Sequence, residues 1–262
     1  MEDFKAYLSR IGLRGVPSLW KVHLAHATSI PFENLDPIRG LPNSLDARDL
    51  EDKLVRRGRG GYCFEQNLLL KAALEHLGVE SVEPVLARVR AGGRPGPRPR
   101  THLILKVRDE GKIWHADVGF GADGLLEPIP YGPGEIHEQF GFRYRIVKDG
   151  SELVLQMQDN GEFVDLYGFI DEPALQIDME VNNWYVCTNP RSPFTTALYC
   201  AFQEPGRSWM ISERSGPVVL TIKTPTSREE RELNDEEVTE IFAATFHLPS
   251  IRRDLGRWLI VD

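Results

Sequence analysis

The chain has 262 residues, 41% of them hydrophobic, enough to build a sizeable core in one large domain or two or three small ones. Its 31 lysines and arginines against 39 aspartates and glutamates leave a net charge of −8, a field that repels nucleic acid and anionic membrane surfaces. The acidic opening MEDFKAYLSRIG lacks the apolar stretch of a signal peptide, and no later run approaches the roughly 18 apolar residues of a spanning helix, so a cytoplasmic location is expected.

The first 80 residues read as helices. FKAYLSRI comes first, then PSLWKVHLAHATSI with proline near its start, LDARDLEDKLVRRG behind an aspartate cap, and CFEQNLLLKAALEHLG, which stops at Gly78. They predict a small helical bundle over 1–80. From residue 81 the pattern changes to short alternating runs, SVEPVLARVR, THLILKV, KIWHADVGF, FRYRIV, ELVLQMQ and EFVDLYGF, parted by the turn signals RDEG, KDGS and DNGE. These predict an antiparallel meander or barrel over 81–190. After WYVCTNPRSPF the runs SWMISER, PVVLTIKT and EERELN read as strands, and NDEEVTEIFAATFHL, 235–247 at its core, as a capped amphipathic helix that covers the barrel. This third unit spans 191–262. The expected fold is α+β, with three subdomains packed as one unit.

Cys63, Cys187 and Cys200 form no CxxC pair and no paired His/Cys zinc pattern, so reduced thiols and no metal site are expected. Cys200, in ALYCAF, reads as core. Cys63 stands where the glycine-rich stretch RRGRGGY turns into a helix. There the sulfur meets unpaired N–H groups and the positive end of the macrodipole, with Arg59 close by in sequence, and each favours the thiolate. A helix terminus contributes at most roughly 2 kcal/mol, less than full activation of a thiol takes, so a histidinium partner is needed.

THLILKVRDEGKIWHADVGFG supplies one. With Val107 facing Lys112 across a four-residue loop, His102 lies directly opposite Asp117, their Cβ atoms about 5 Å apart. A two-residue loop leaves them diagonal neighbours on one face, and a three-residue loop sends them to opposite faces. Cysteine, histidine and aspartate together suit acyl transfer: the ring takes the thiol proton, and the carboxylate fixes its tautomer and stabilises its charged form. A surface histidine beside a surface aspartate is the bland alternative. His115 shares parity with Asp117 and competes as the base.

RGGYC followed by FEQN, then THL and ADVGFG, with IPFENLDP at 30–37 and NNWYVCTNPRSPF at 182–194, closely resembles the arylamine N-acetyltransferases over most of the chain. The resemblance implies an N-terminal helical bundle, a central antiparallel β-barrel and a C-terminal α/β lid around a papain-like or transglutaminase-like catalytic core. It implies that Cys63 takes an acetyl group from acetyl-coenzyme A as a thioester and passes it to an arylamine, hydrazine or arylhydroxylamine, with His102 as base and Asp117 as orienting carboxylate. By the same resemblance Phe32 and Phe194 line the acceptor pocket, Glu33 and Arg59 brace the cysteine loop, and Gly119 and Gly121 sit by the acyl donor. Thr101, in the THL motif, belongs to the binding set. Acetyl-coenzyme A enters as a cosubstrate, with no tightly bound cofactor. The sequence departs from the family at Cys187, where serine is usual, and at His115, where an apolar residue is more common.

The oxyanion of acyl transfer needs donors, and the N–H of Cys63 is one candidate, with a second from the LARVRAGG region. Arg88, Arg90, Arg94, Arg98 and Arg100 crowd the loop before His102, where guanidinium forks could meet coenzyme A phosphates or simply face water. GRGG at 58–61 lacks the lysine and hydroxyl of a phosphate-binding loop and reads as close backbone packing. His23 and His26 read as packed or surface histidines, and Trp184 and Tyr185 as packing under the lid. Two other readings stand beside acetyl transfer. One is an amide synthase closing a polyketide macrolactam from an acyl carrier protein with the same triad; the other is a cysteine hydrolase or a non-catalytic binding module.

Overall fold

The computed structural model describes residues 1–92, 98–213, 216–254 and 257–260, so Arg94 lies outside the described residues. The fold is α+β, and its centre is one helix. Around it come α1 (Phe4–Arg10), α2 (Leu19–Ala27), α3 (Leu35–Ile38) and α4 (Ala47–Glu51), and the central helix itself is α5 (Cys63–Leu77). Asp3 caps α1 by accepting from the Ala6 N–H at 2.8 Å, and Asp46 caps α4 through Arg48 N–H at 2.8 Å. Gly78 ends α5 at φ 88°, a left-handed position that glycine adopts without Cβ crowding. Leu69, Leu70, Ala73 and Leu74 of α5 pack against Tyr7, Leu19 and Val22 and against Val82, Leu105 and Val107. A helix enclosed on so many sides must satisfy its polar residues inside the protein.

The strands β1 (Phe32–Glu33), β2 (Ser81–Val89), β3 (His102–Asp109), β4 (Lys112–Ala116), β5 (Ile129–Pro130), β6 (His137–Gln139), β7 (Phe142–Asp149), β8 (Glu152–Asp159) and β9 (Glu162–Pro173) follow the alternating runs, β1 and the short β5 and β6 being additions. All but β1 form one antiparallel sheet in the order β5-β4-β3-β2-β9-β8-β7-β6, curled into a nearly closed barrel. Gln139 on the far edge strand bonds Leu126 N–H, Glu127 N–H and the Glu127 carbonyl, tying that edge to the segment before β5.

The β3–β4 connection is the two-residue loop and not the four-residue one, the shorter of the two lengths that keep His102 and Asp117 on one face. Asp109 pairs with Lys112, and the two loop residues Glu110 and Gly111 both have positive φ, 49° and 69°, the signature of a two-residue hairpin turn. Val107 therefore faces Trp114, not Lys112. Continued past the strand ends, this register leaves Asp117 a diagonal neighbour of His102 on the same face.

The remainder comprises α6 (Gln176–Thr188), β10 (Tyr199–Glu204), β11 (Arg207–Glu213), β12 (Val218–Lys223), β13 (Arg228–Leu233), α7 (Asp235–Ala244) and the hairpin β14 (Ile251–Asp254) and β15 (Arg257–Ile260). Its sheet runs β1-β10-β11-β12-β13, so a strand from the N-terminal region forms one edge. Val238 and Phe242 of α7 pack on Leu198, Phe202, Ile211 and Leu220; this helix covers the C-terminal sheet, not the barrel. Helix α6 has no counterpart in the sequence reading. It buries Met179, Asn183, Val186 and Cys187 and turns Ile177, Val181 and Trp184 outward, so Trp184, 62% exposed, is not a packing residue. Tyr185 is, beside Tyr62 and Cys63.

Candidate active site

Cys63 is the first residue of α5 and is 3% exposed, its thiol 3.5 Å from the Thr101 carbonyl. The glycine-rich approach packs closely: a Cβ on Gly61 would meet the Glu65 carboxylate at 2.9 Å. Glu65 Oε2 accepts the Tyr62 N–H at 3.1 Å, one half of a capping box, and Glu65 is held in turn by Lys53 and Asn43, each at 2.7 Å. Arg59 donates to Glu33 at 2.7 Å and Asp36 at 3.2 Å, and Glu33 accepts the Leu35 N–H at 2.6 Å. These carboxylates neutralise the Arg59 charge, so its nearness to Cys63 in sequence does not translate into a field at the sulfur; its geometry is that of a brace.

The structure brings His102 and Asp117 to Cys63. His102 Nε2 is 2.7 Å from Asp117 Oδ2, and Cys63 is close enough to the same ring to favour its charged form. His102 is 2% exposed and Asp117 fully buried. Asn67 donates to Asp117 Oδ1 at 2.8 Å and to the Leu103 carbonyl at 2.7 Å, while its own oxygen accepts the Val118 N–H at 3.0 Å. Gly119 N–H reaches Oδ1 at 2.8 Å and the Tyr167 hydroxyl reaches Oδ2 at 2.8 Å. His23 accepts the Asp117 N–H at 3.1 Å and bonds the Leu126 carbonyl at 3.0 Å. Gln66 ties Ile30, Pro31 and Gly61 together through one amide nitrogen. His23, Gln66, Asn67 and Tyr167 thus shape the site; the sequence reading took His23, like His26, for a packed or surface histidine, and both are fully buried, while it passed over the other three. The available signal was the run of polar residues FEQN on the first turn of an otherwise apolar helix.

His115 does not approach Cys63 and reaches Asp117 only through Tyr167, so it does not compete as the base. Phe32 and Phe194 lie 5.7 Å apart between centroids, with Tyr62 and Tyr199 against Phe194 at 5.9 and 5.5 Å. A Cβ on Gly121 would touch the Phe32 ring at 3.7 Å. Arg98 donates to the Val89 and Ala91 carbonyls at 3.0 and 2.9 Å, and Arg100 lies 3.5 Å from Glu172. The N–H groups of Arg90 and Ala91 both bond the Leu166 carbonyl, so neither serves as the second oxyanion donor.

The electrostatics follow from burial and pairing. Burial disfavours a charged His102 ring, but the Asp117 carboxylate and its hydrogen bond, with Cys63 opposite, outweigh it and raise the pKa to about 10. Burial alone would raise the Asp117 carboxyl; His102, Asn67 and Gly119 hold it well below the usual carboxylate range. Burial pushes His23 and His115 down to about 4 and His26 to about 3, and pushes Glu65 up to about 7 against the pull of Lys53.

These directions predict an acid-sensitive fold. A histidine whose folded pKa is lowered contributes stability above its ordinary value of 6.5 that is lost as pH falls. Glu65, raised, works with the opposite sign between 4.5 and about 7. Three histidines gaining a proton on unfolding and one glutamate losing one leave a net uptake of about two, so stability should rise by about 2.5 kcal/mol per pH unit near pH 5.5. Urea titrations from about pH 5 to 6 test this, and a flat or falling stability refutes it.

A family model described as N-acetyltransferase matches residues 15–253. The arylamine N-acetyltransferase of Mycolicibacterium smegmatis is 44% identical over 210 residues, 76% of each chain. A solved structure of the M. smegmatis protein superposes with a TM-score of 0.86 at 37% identity, covering 97% of this chain and 93% of that one. The Mycobacterium marinum arylamine N-acetyltransferase in complex with CoA gives 0.87 at 33% identity, covering 94% and 93%. The chain is thus built as an N-acetyltransferase around a buried cysteine at a helix start. It belongs to the arylamine N-acetyltransferase family.

Proposed function

We propose that this protein transfers an acetyl group from acetyl-coenzyme A, through a thioester on Cys63, to the nitrogen of an arylamine or arylhydrazine. The observation that carries this is the buried His102–Asp117 pair, 2.7 Å apart, set against Cys63 at the start of α5. His102 Nδ1 takes the Cys63 proton, and the thiolate attacks the acetyl carbonyl. The Cys63 N–H, at the positive end of α5, donates to the oxyanion. Collapse breaks the bond to the coenzyme A sulfur, which leaves with the proton held on His102. An amine then attacks the acetyl-cysteine, gives its proton to His102, and Cys63 departs and recovers it. Asp117 stays ionised throughout and holds the ring by Nε2.

The pair Phe32 and Phe194 suits a flat aromatic acceptor. Arg98 shapes the loop before Thr101 and His102 by binding its own backbone, and Arg100 at the rim is the guanidinium offered to coenzyme A phosphates. Gly119, packed directly on the start of α5 at Cys63, and Gly121, beside Phe32, stand at the acyl-donor side of the site in this reading. The relatives favour coenzyme A over a carrier-protein donor. No described helix is long and apolar enough to cross a membrane, which fits the cytoplasmic location proposed here.

The test is peptide mass spectrometry after incubation with acetyl-coenzyme A alone. The acetyl group should sit on the Cys63 peptide and disappear when an arylamine is added. An unmodified Cys63, or acetyl on Cys187 or Cys200 in its place, refutes the proposal.

A further inference from the structure

Asp117 accepts four hydrogen bonds, and one of them has a supporter of its own. Tyr167 donates its only hydroxyl proton to Asp117 Oδ2, since an ionised carboxylate can only accept. The same hydroxyl oxygen lies 2.7 Å from His115 Nε2. With the tyrosine proton committed, Nε2 must carry the hydrogen of this second bond. His115 is then a neutral ring with a bare Nδ1, and among the described residues no protein group partners that Nδ1. The ring is fully buried, against Tyr131 at 6.0 Å, Tyr167 at 5.8 Å and Phe169 at 5.2 Å. A buried polar atom left without a partner is uncommon, and an apolar side chain would avoid it.

We propose that His115 is a positioning residue for acyl transfer: by donating to the Tyr167 hydroxyl it directs the tyrosine proton onto Asp117 and, through Asp117, fixes the His102 ring toward Cys63. Hydrogen bonds in series polarise one another in a dry interior. The series here runs His115 to Tyr167 to Asp117 Oδ2, the oxygen that also receives His102 Nε2–H. A stronger bond from Tyr167 makes Oδ2 a poorer base, so the proton stays on His102 instead of moving to Asp117. The charged and titratable groups around His115 are Asp117, His102 and His23 at the site, Tyr131 and Tyr167 against the ring, and Lys106, its cross-strand partner, which pairs with Asp171. Burial keeps the His115 ring neutral at ordinary pH, as this arrangement requires.

The inference rests on the acyl-transfer reading above, and the test separates the two by including a substrate-free readout. His115→Leu, His115→Gln, Tyr167→Phe and the His115→Leu/Tyr167→Phe double variant are compared with wild type. Three quantities are measured: the acetylation half-reaction, the pH profile of iodoacetamide alkylation of Cys63, and the melting temperature. His115→Leu should lower the maximal acetylation rate about tenfold with KM for acetyl-coenzyme A unchanged, and should move the alkylation profile. His115→Gln, whose amide nitrogen can stand where Nε2 stands, should recover most of that loss. Tyr167→Phe should lose about as much as His115→Leu, and the double variant no more than either, because both remove one series of bonds.

Wild-type rate and alkylation profile in His115→Leu overturn the proposal, as do losses that multiply in the double variant or a folded His115→Gln that recovers nothing. If His115→Leu does not fold, Tyr167→Phe decides, since His115 acts only through that hydroxyl: a wild-type profile overturns the proposal and a shifted one supports it. A wild-type thiol that neither alkylates readily nor acetylates would instead refute the acyl-transfer reading itself.

Discussion

Asp117→Asn should give a folded protein whose kcat/KM has fallen by on the order of 10³ or more. The carboxylate receives donors on both oxygens: Asn67 and Gly119 on one, His102 and Tyr167 on the other. An asparagine has one oxygen to offer, and its NH2 must face one of those two pairs of donors. If the amide nitrogen faces His102, the ring must present a lone pair there and carry its hydrogen on Nδ1, where it can no longer take the Cys63 proton. If it faces Asn67 and Gly119, donors oppose donors across a buried contact and the 117–119 turn shifts. Stopped-flow acetylation with a melting curve alongside decides the matter. Near wild-type turnover would remove Asp117 from the mechanism.

Gly119→Ala should do nearly as much damage by a different route. A Cβ at this position would lie 2.6 Å from Cys63 Cα, 2.8 Å from Asn67 Nδ2 and 3.0 Å from the Cys63 carbonyl. None of these atoms is free to move. Cys63 opens the buried helix α5, and Asn67 is held by Leu103 and Asp117. The turn must back away from the helix, which strains the Gly119 bond to Asp117. Overpacking of this kind costs about 3 kcal/mol, a fall of roughly 10 °C in melting temperature for a domain of this size. A displacement near 1 Å at the nucleophile should also slow acetylation about a hundredfold. An unchanged melting temperature would mean that the helix and turn do not approach so closely.

What the sequence made legible was local. The strand runs from 81 to 173 showed alternation because one face of each is inside the barrel, and Cys63 showed because a glycine-rich stretch gives way there to a helix. Helix α6 was hidden because its pattern is inverted, with Ile177, Val181 and Trp184 outside and Asn183 inside. RDEG allows a four- or a two-residue loop, and the shorter one forms because Arg108 and Asp109 continue the strand and Glu110 accepts a left-handed φ. Arg59 was credited to the sulfur by its proximity along the chain, although Glu33 and Asp36 hold it. The contributions of His23 and Tyr167 are contacts between distant segments of which a single sequence holds no mark, and those of Gln66 and Asn67 showed only as the polar run FEQN at the start of an apolar helix. The family resemblance supplied what local chemistry did not, including the pairing of Phe32 with Phe194.

The two residues of β1 sit between two partners far apart in the chain. On one side Glu33 N–H bonds the Gly61 carbonyl, and on the other Phe32 and Glu33 pair with Ala201 and Cys200. Asn34, next in line, holds the Phe194 and Ala197 carbonyls. During synthesis on the ribosome the thiol therefore emerges well over a hundred residues before the walls that enclose it. Such distant contacts assemble late, so a nascent or truncated chain carries the cysteine before the segment 194–201 that packs beside it has been made.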